Sequence, residues 1–180
     1  MKLHGKNIYL AALEREDCKT LYQEQEYDFD NPMTDIGFGY SVESSDSWYE
    51  DIQKRLEAGT HVRLGVFTKG GEVIGDIALQ DICWQTRSCS LGMNIPKTTN
   101  RNKGYGKEAV GLILKYGFDI MGLERIWART YETNPLGRKS LEAAGFVLEG
   151  VARKSAYQFG RRIDEFYYAM LVDEWRGNNE

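Results

Sequence analysis

"NRNKGYGKEAVGLILKYGF", Asn100 to Phe118, sets a basic, glycine-rich turn directly before a run of apolar residues at helical spacing. Ala109, Leu112, Ile113, Tyr116 and Ile120 share one stripe of that helix, so its body belongs to the core and only its first turn is open to function. A helix that begins near Gly104 leaves the N–H groups of Lys103, Gly104, Tyr105 and Gly106 without carbonyl partners. Gly104 and Gly106 carry no Cβ, so an anion's oxygens can come close to the backbone, and the helix dipole adds about 0.3 to 1 kcal/mol per favourable charge. Arg101, Lys103 and Lys107 add three cationic side chains. A diphosphate suits such a tip; the plainer alternative is a glycine-bearing helix start with a solvated basic face. A P-loop is excluded because GxxxxGK[ST] is missing, and a dinucleotide fold because GxGxxG is incomplete.

Working outward, "HVRLGVFT", "EVIGDIALQDICWQ" and "SCSLGMNI" read as three strands separated by "KGG" and "TR", and joints so short make them antiparallel neighbours. After the helix come a strand "RIWARTYE", a short helix "PLGRKSLEAAG", and the strands "FVLEGVARKSAYQF" and "IDEFYYAMLV" around the turn "GRR". Upstream, "KNIYLAAL" is a first strand and "EREDCKTLYQEQEYD" a helix with Leu21 and Tyr22 inward. "FDNPMTDIGFGYSVESS" has no usable period and reads as a loop; Ser44 or Ser45 caps the following helix "DSWYEDIQKRLEAG". The order β-α-α-β-β-β-α-β-α-β-β predicts an α+β fold: a mixed, mostly antiparallel sheet of about seven strands with about four helices and one βαβ crossover near its centre.

The chain has 180 residues, and without repeats or a linker it is expected to form a single domain, residues 1–180. Its 23 basic and 27 acidic residues disfavour wholesale nucleic-acid binding but allow a local basic patch. No apolar run is long enough for a signal peptide or a membrane span, so a cytoplasmic, membrane-free protein is expected. Three cysteines without CxxC spacing and two histidines argue against a metal site and against a Cys-His catalytic pair. A disulfide between Cys83 and Cys89 across their hairpin is the minor alternative to free thiols.

"RNKGYG", Arg101 to Gly106, resembles the [Q/R]-x-x-G-x-[G/A] pyrophosphate loop of the GNAT superfamily of acyl-CoA N-acyltransferases, and it lies between an antiparallel strand and a long helix as that family requires. "NPLGRKSLEAAGFVLEG" resembles the family's second signature: an Asn after the next strand, a short helix and the Gly145-Phe146 pair. The element order fits from about Ile8 to Val172. The closest likeness is to the ribosomal-protein N-terminal acetyltransferases and their relatives, polyamine acetyltransferases included.

The resemblance implies acetyl-CoA as co-substrate and no metal. Met93, Asn94 and Ile95 would offer backbone groups to the pantetheine arm and thioester. Arg101, Asn102, Lys103, Gly104, Tyr105, Gly106 and Lys107 would hold the pyrophosphate. Asn134 would bond the pantetheine, a role that stands beside ordinary N-capping before Pro135, and Arg138 or Lys139 would reach the phosphates.

The sequence departs from its relatives where the chemistry would sit. The family's usual Glu base falls at Ser90, its Tyr acid at Leu141, and the ribosomal branch's Ser at Gly137. Positioning and a polarised carbonyl supply much of the acceleration without them. Freeing an α-amine at neutral pH costs about 1 kcal/mol against about 4.6 kcal/mol for a lysine-like amine, so a site with a weak base favours a peptide N-terminus. The remaining candidates are Glu132, Asp76 or Asp81 for proton acceptance, Ser90, and Tyr157 as acid. Phe38 and Tyr40, beside Gly37 and Gly39, would close over the acceptor with Trp84 opposite. Glu24, Glu26, Asp28, Asp30 and Asp35 form a cation-attracting rim or a solvated face. The reading is an acetyl-CoA-dependent N-acetyltransferase acting on a primary amine, with a polyamine or other small amine as the alternative acceptor. A catalytically silent CoA-binding sensor is the alternative from another class. Phe166, Tyr167 and Tyr168 could line a homodimer interface, but three adjacent strand residues alternate faces and at least one must point to the core.

Overall fold

The computed structural model describes residues 1–26 and 41–177. Its elements run β1 (Lys2–His4), β2 (Ile8–Ala11), α1 (Arg15–Gln23), α2 (Ser44–Glu57), β3 (Val62–Thr68), β4 (Val73–Cys83), β5 (Ser88–Asn94), α3 (Tyr105–Lys115), β6 (Arg125–Tyr131), α4 (Pro135–Ala143), β7 (Val147–Gln158), β8 (Arg161–Leu171) and α5 (Val172–Gly177). A π-helical turn, Tyr116–Ile120, prolongs α3. The expected α+β order is present, with two additions: β1 and α5 make a sheet of eight strands and five α-helices among the described residues. Both additions are short and polar, so neither carries a periodic signal; β1 exists because its backbone pairs with β2 from Lys2↔Ala11 to His4↔Tyr9.

The strand order is β1-β2-β3-β4-β5-β6-β8-β7, antiparallel throughout except for β5 beside β6. Strand β4 lies near the middle and is buried without alternation from Val73 to Leu79, as a strand covered on both faces must be. Helix α3 covers one face through Ala109, Val110, Ile113 and Leu114, and α1 and α2 cover the other through Cys18, Leu21 and Ile52. Ile113 is 0% exposed, and truncating it to Ala costs about 2–5 kcal/mol.

Three local expectations change. Helix α1 stops at Gln23 instead of running to Asp28. Helix α2 begins after Glu43 with no side-chain cap, so Ser44 and Ser45 lie inside it, Ser45 fully buried. The three cysteines are free, and burial pushes the thiols of Cys18 and Cys89 up to about 12, which leaves them protonated packing groups.

The feature that positions the site is a parting of strands. β5 pairs with β6 only from Ser88↔Arg125 to Ser90↔Trp127, yet β5 continues to Asn94 and β6 to Tyr131. Strand β4 stays with β5 to Asn94 and β8 stays with β6 to Tyr131. The sheet therefore opens as a wedge between Leu91–Asn94 and Ala128–Tyr131, and the β5 backbone on that side has lost its strand partner.

Candidate active site

One wall of the wedge ends in the turn before α3. Gly104 is the helix N-cap at φ +83°, a left-handed conformation that a side chain would strain, and a Cβ there would meet nothing within 4 Å. The first helical bond is Glu108 N–H to Gly104 O at 3.1 Å; the amides of Gly104, Tyr105, Gly106 and Lys107 donate to nothing among the described residues. Lys103 and Lys107 are exposed beside them without an ion pair among those residues.

Two expected phosphate contacts have other work. A Cβ on Gly106 would lie 3.1 Å from Met93 Cε, so this glycine also lets α3 pack on β5 while its amide stays in the open row. The Arg101 guanidinium donates to Ile95 O (2.9 Å) and Pro96 O (3.0 Å), which makes it a brace for the loop between β5 and α3. Further bonds hold that loop from α1: Lys97 to Glu24 (2.8 Å) and Thr98 N–H to Glu26 (2.8 Å). Glu24 and Glu26 are thus consumed by the loop and do not form an acceptor rim; Asp28, Asp30 and Asp35 lie outside the described residues. The Thr98 bonds, the larger effect, together with Arg101 and Lys97, hold the Glu26 carboxyl below its usual range. Asn102 sits at φ +60°, and Asn94 Nδ2 reaches Gln25 at 3.2 Å.

The other wall leads into α4. Asn134 Oδ1 accepts from Gly137 N–H at 2.8 Å, with Pro135 at the first helical position, so the capping role is real. Around it stand polar groups that nothing among the described residues satisfies. Thr130 is 3% exposed, and its Oγ1 is without a partner, as is the buried Nε of Arg138. The Arg138 guanidinium lies 4.5 Å over the Phe166 ring, and Phe166 is paired with Thr130 across β6 and β8. A Cβ on Gly137 would lie 2.6 Å from Asn134 Nδ2 and 2.9 Å from Thr130 Oγ1, which fixes all three within one small volume and excludes any side chain at Gly137. Orphaned donors beside an unpaired strand edge fit an extended amide-bearing arm, and open helix amides fit a diphosphate. Thr130 has no sequence signal: in "RIWARTYE" it is one more residue on the alternating inner face. Lys139 is exposed on α4.

The catalytic candidates divide. Ser90 is buried, and its hydroxyl donates to Gln80 O at 3.3 Å; Glu132 is paired with Arg161 (3.1 Å) and accepts from Asp164 N–H (3.2 Å). Both are structural in this arrangement. Asp76 is 3% exposed and ion-paired with Arg63; burial pushes its pKa up while Arg63 opposes that. Tyr157 is 60% exposed on the part of the β7–β8 hairpin that runs past the end of β6, and its hydroxyl makes no hydrogen bond among the described residues. Trp84 stands at the β4–β5 turn, its Nε1 donating to Gly59 O at 2.9 Å, about 20 Å along β5 from Asn94 and so at the closed end of the wedge. Phe38 and Tyr40 lie outside the described residues. Of the three adjacent aromatics, Tyr168 is buried, Tyr167 stacks on Trp127 and Phe166 lies under Arg138, so they pack within the protein; the exposed apolar residues nearby are Val147, Leu148 and Val151 on edge strand β7.

A mixed sheet parted at its one parallel step, with an open helix tip in the gap, is the architecture of an acyl-CoA-dependent N-acetyltransferase. The chain belongs to the Acetyltransferase (GNAT) domain family, which matches residues 7–147. It is 33% identical over 175 residues to the Probable N-acetyltransferase YjcK of Bacillus subtilis, covering 94% of this chain and 96% of that one. It is 24% identical over 176 residues to the Spermidine N(1)-acetyltransferase of Vibrio cholerae, covering 98% and 99%. Among solved structures, a chimera of the Vibrio cholerae spermidine N-acetyltransferase SpeG and hSSAT superposes with a TM-score of 0.83 at 24% identity, over 95% of this chain and 99% of that one. Acetyl-CoA is the family's co-substrate. No helix among the described residues is long and apolar enough to cross a membrane.

Proposed function

We propose that this enzyme moves the acetyl group of acetyl-CoA to a primary amine, with the α-amine of a peptide N-terminus favoured, by direct attack in a ternary complex. The observation that carries the reading is the row of undonated amides from Gly104 to Lys107 at the mouth of the wedge. They would hold the diphosphate, with Lys103 and Lys107 beside it. Thr130, Asn134 and Arg138 would take the polar groups of the pantetheine arm, and the unpaired edge of Met93 and Asn94 would orient the thioester. The amine nitrogen bonds to the carbonyl carbon, the C–S bond breaks, the thiolate leaves and the amine gives up one proton. Tyr157, with its unengaged hydroxyl, is our candidate to protonate the thiolate; Tyr157→Phe then lowers kcat about 100-fold, as loss of a general acid does.

Glu132 and Asp76 are ion-paired, and Asp81 lies beside His61 on β4, one strand removed from the wedge, so none of these carboxylates is free at the wedge. This supports the α-amine, about half of which is neutral near pH 8. A polyamine is the second reading, favoured by the spermidine enzyme among the relatives. A thiol-release assay across pH separates the two. With a peptide acceptor kcat/KM levels off above about pH 8; with a polyamine it rises about tenfold per unit toward pH 10. An enzyme that binds CoA but releases no thiol with peptides, polyamines or small amines overturns the reading.

A further inference from the structure

On the sheet face covered by α2, a pocket of about 250 Å³ is lined by Trp48, Asp51, Ile52, Arg55, His61, Arg63, Gln80 and Asp81. The reading above makes no use of it. The register ties it to the wedge. Val62↔Leu79 sets His61 beside Gln80, Gln80 pairs with Ser90, and Ser90 pairs with Trp127 at the last step before the strands part. Directly opposed residues point to one face, so His61, Gln80 and Ser90 form a row leading from the pocket to the wedge. Gln80 is the divider. Its side-chain amide makes no hydrogen bond among the described residues, and a Cβ on Gly92, at the open edge of β5, would come within 3.1 Å of its Nε2.

The lining sets Asp51 and Asp81 against Arg55 and Arg63, and the buried Asp76 beneath adds a third carboxylate to the two guanidiniums. Arg55 is paired with Asp51 (2.6 Å), and Arg63 with the buried Asp76, its guanidinium also resting over Trp48. His61 Nε2 faces Arg55 Nη1 at 3.2 Å, an arrangement that makes the ring nitrogen the acceptor and the imidazole neutral. Burial, and then the Arg55 charge, hold its pKa below 6.5, in agreement with that geometry. Asp81 is left over: it is 72% exposed, its nearest ionisable contact is His61 at 3.7 Å, and it has no Lys or Arg partner among the described residues. With both arginines committed and the His61 lone pair taken by Arg55, the pocket offers a visitor the Asp81 carboxylate and the Gln80 amide oxygen, which has no partner among the described residues.

We propose that this pocket is a distal subsite for the acceptor, and that it takes a second cationic group two strand spacings, roughly 10 Å, from Ser90 at the apex of the wedge, where the reacting amine would stand. This rests on the acetyl-transfer reading and narrows it: the acceptor is a dication. That chemistry has two sources, an α,ω-diamine or a peptide whose third residue is basic, since three extended residues span about 10 Å.

The test compares diaminoheptane, which spans the distance, with octylamine, its equal in length without the second charge, and with diaminopropane, which is too short. A tripeptide amide ending in Lys is set against one ending in norleucine. Each is assayed with the wild type and with Asp81→Asn. Asp81 lies at φ +51°, a conformation Asn tolerates, so the variant keeps the turn. The wild type prefers diaminoheptane over octylamine, or the Lys over the norleucine peptide, about fivefold in KM at low salt, with kcat unchanged. Asp81→Asn abolishes the preference, the ratio of the paired KM values falling to about one whatever its effect on kcat, and about 0.5 M salt weakens it likewise. The preferred pair identifies the source. A preference that survives Asp81→Asn, or no preference in either pair, overturns the subsite alone; transfer to none of these amines overturns it together with the reading beneath it.

Discussion

Helices α3 and α4 begin at the open ends of the two strands that part, yet they finish their first turns in opposite ways. At α4 the protein satisfies itself: Asn134 caps Gly137 N–H and Pro135 removes a donor that would otherwise need a partner. At α3 it does not. The N-cap is a left-handed glycine with no side chain to offer, and four successive amides are undonated. A missing cap costs about 1 kcal/mol of stability, so the α3 turn is held open at a cost that a bound anion would offset. Equivalent places in one wedge thus differ in what they leave open: one wall presents amides without acceptors among the described residues, and the other a rigid polar surface.

The largest expected effect breaks the open turn. Gly104→Asp adds a side chain at φ +83° and a negative charge where phosphate would bind, and it weakens CoA binding by about 2 kcal/mol, about thirtyfold, measured by calorimetry. Unchanged affinity would move the coenzyme elsewhere. Next comes the brace: Arg101→Ala frees the Ile95 and Pro96 carbonyls and lowers stability by about 1.5 kcal/mol in urea melts, and because the Gly104 turn then loses its anchor, CoA affinity falls as well. Arg101→Lys recovers little of either, because one ammonium does not reproduce the two-pronged contact.

Much of this contrast is readable in the chain, and its limits are physical. The α3 stripe and the Gly104 turn are local signals, one of period and one of backbone freedom, so the sequence carries them. The parting of β5 from β6 is a matter of register between residues far apart in the chain, and no local pattern encodes where pairing stops. Gly106 and Arg101 show the same divide within one motif. Both belong to "RNKGYG", but only the fold reveals that Gly106 accommodates Met93 and that Arg101 serves the backbone. Thr130, His61 and Gln80 gain meaning from what stands across the sheet from them, which composition and spacing cannot supply. Trp84 misleads for the converse reason: an aromatic beside a turn looks like a lid, and its indole instead ties the hairpin to the end of α2.

A milder change sharpens the comparison from the α4 side. Asn134→Ala removes the cap from Gly137 N–H and costs about 1 kcal/mol in thermal or urea unfolding. Asn134→Asp keeps the capping oxygen but removes Nδ2, so it restores stability. If Nδ2 contacts the pantetheine arm, CoA affinity stays low in both variants; if capping is the whole role, Asn134→Asp restores affinity too.

The smallest effect concerns why an acidic residue in the first turn of α3 does not already fill the anion slot. Glu108 is turned away: its carboxylate accepts from Asn7 N–H (2.8 Å), Asn7 Nδ2 (3.0 Å) and Ile8 N–H (3.4 Å), fastening α3 to the β1–β2 turn. Partial burial raises its pKa, but the Asn7 and Ile8 bonds outweigh burial and hold it below 4.5. A carboxyl whose folded pKa is depressed contributes stability above its unfolded pKa and loses it as pH falls through the folded value. Glu108→Gln therefore lowers stability by about 0.5–1 kcal/mol at pH 7, and the gap to wild type closes on acidification below pH 4.5. CoA affinity is unchanged in this variant, because the side chain serves the far side of the helix. A rise in affinity on removing the charge would place Glu108 within reach of the phosphates, and the open turn would then be partly neutralised from within.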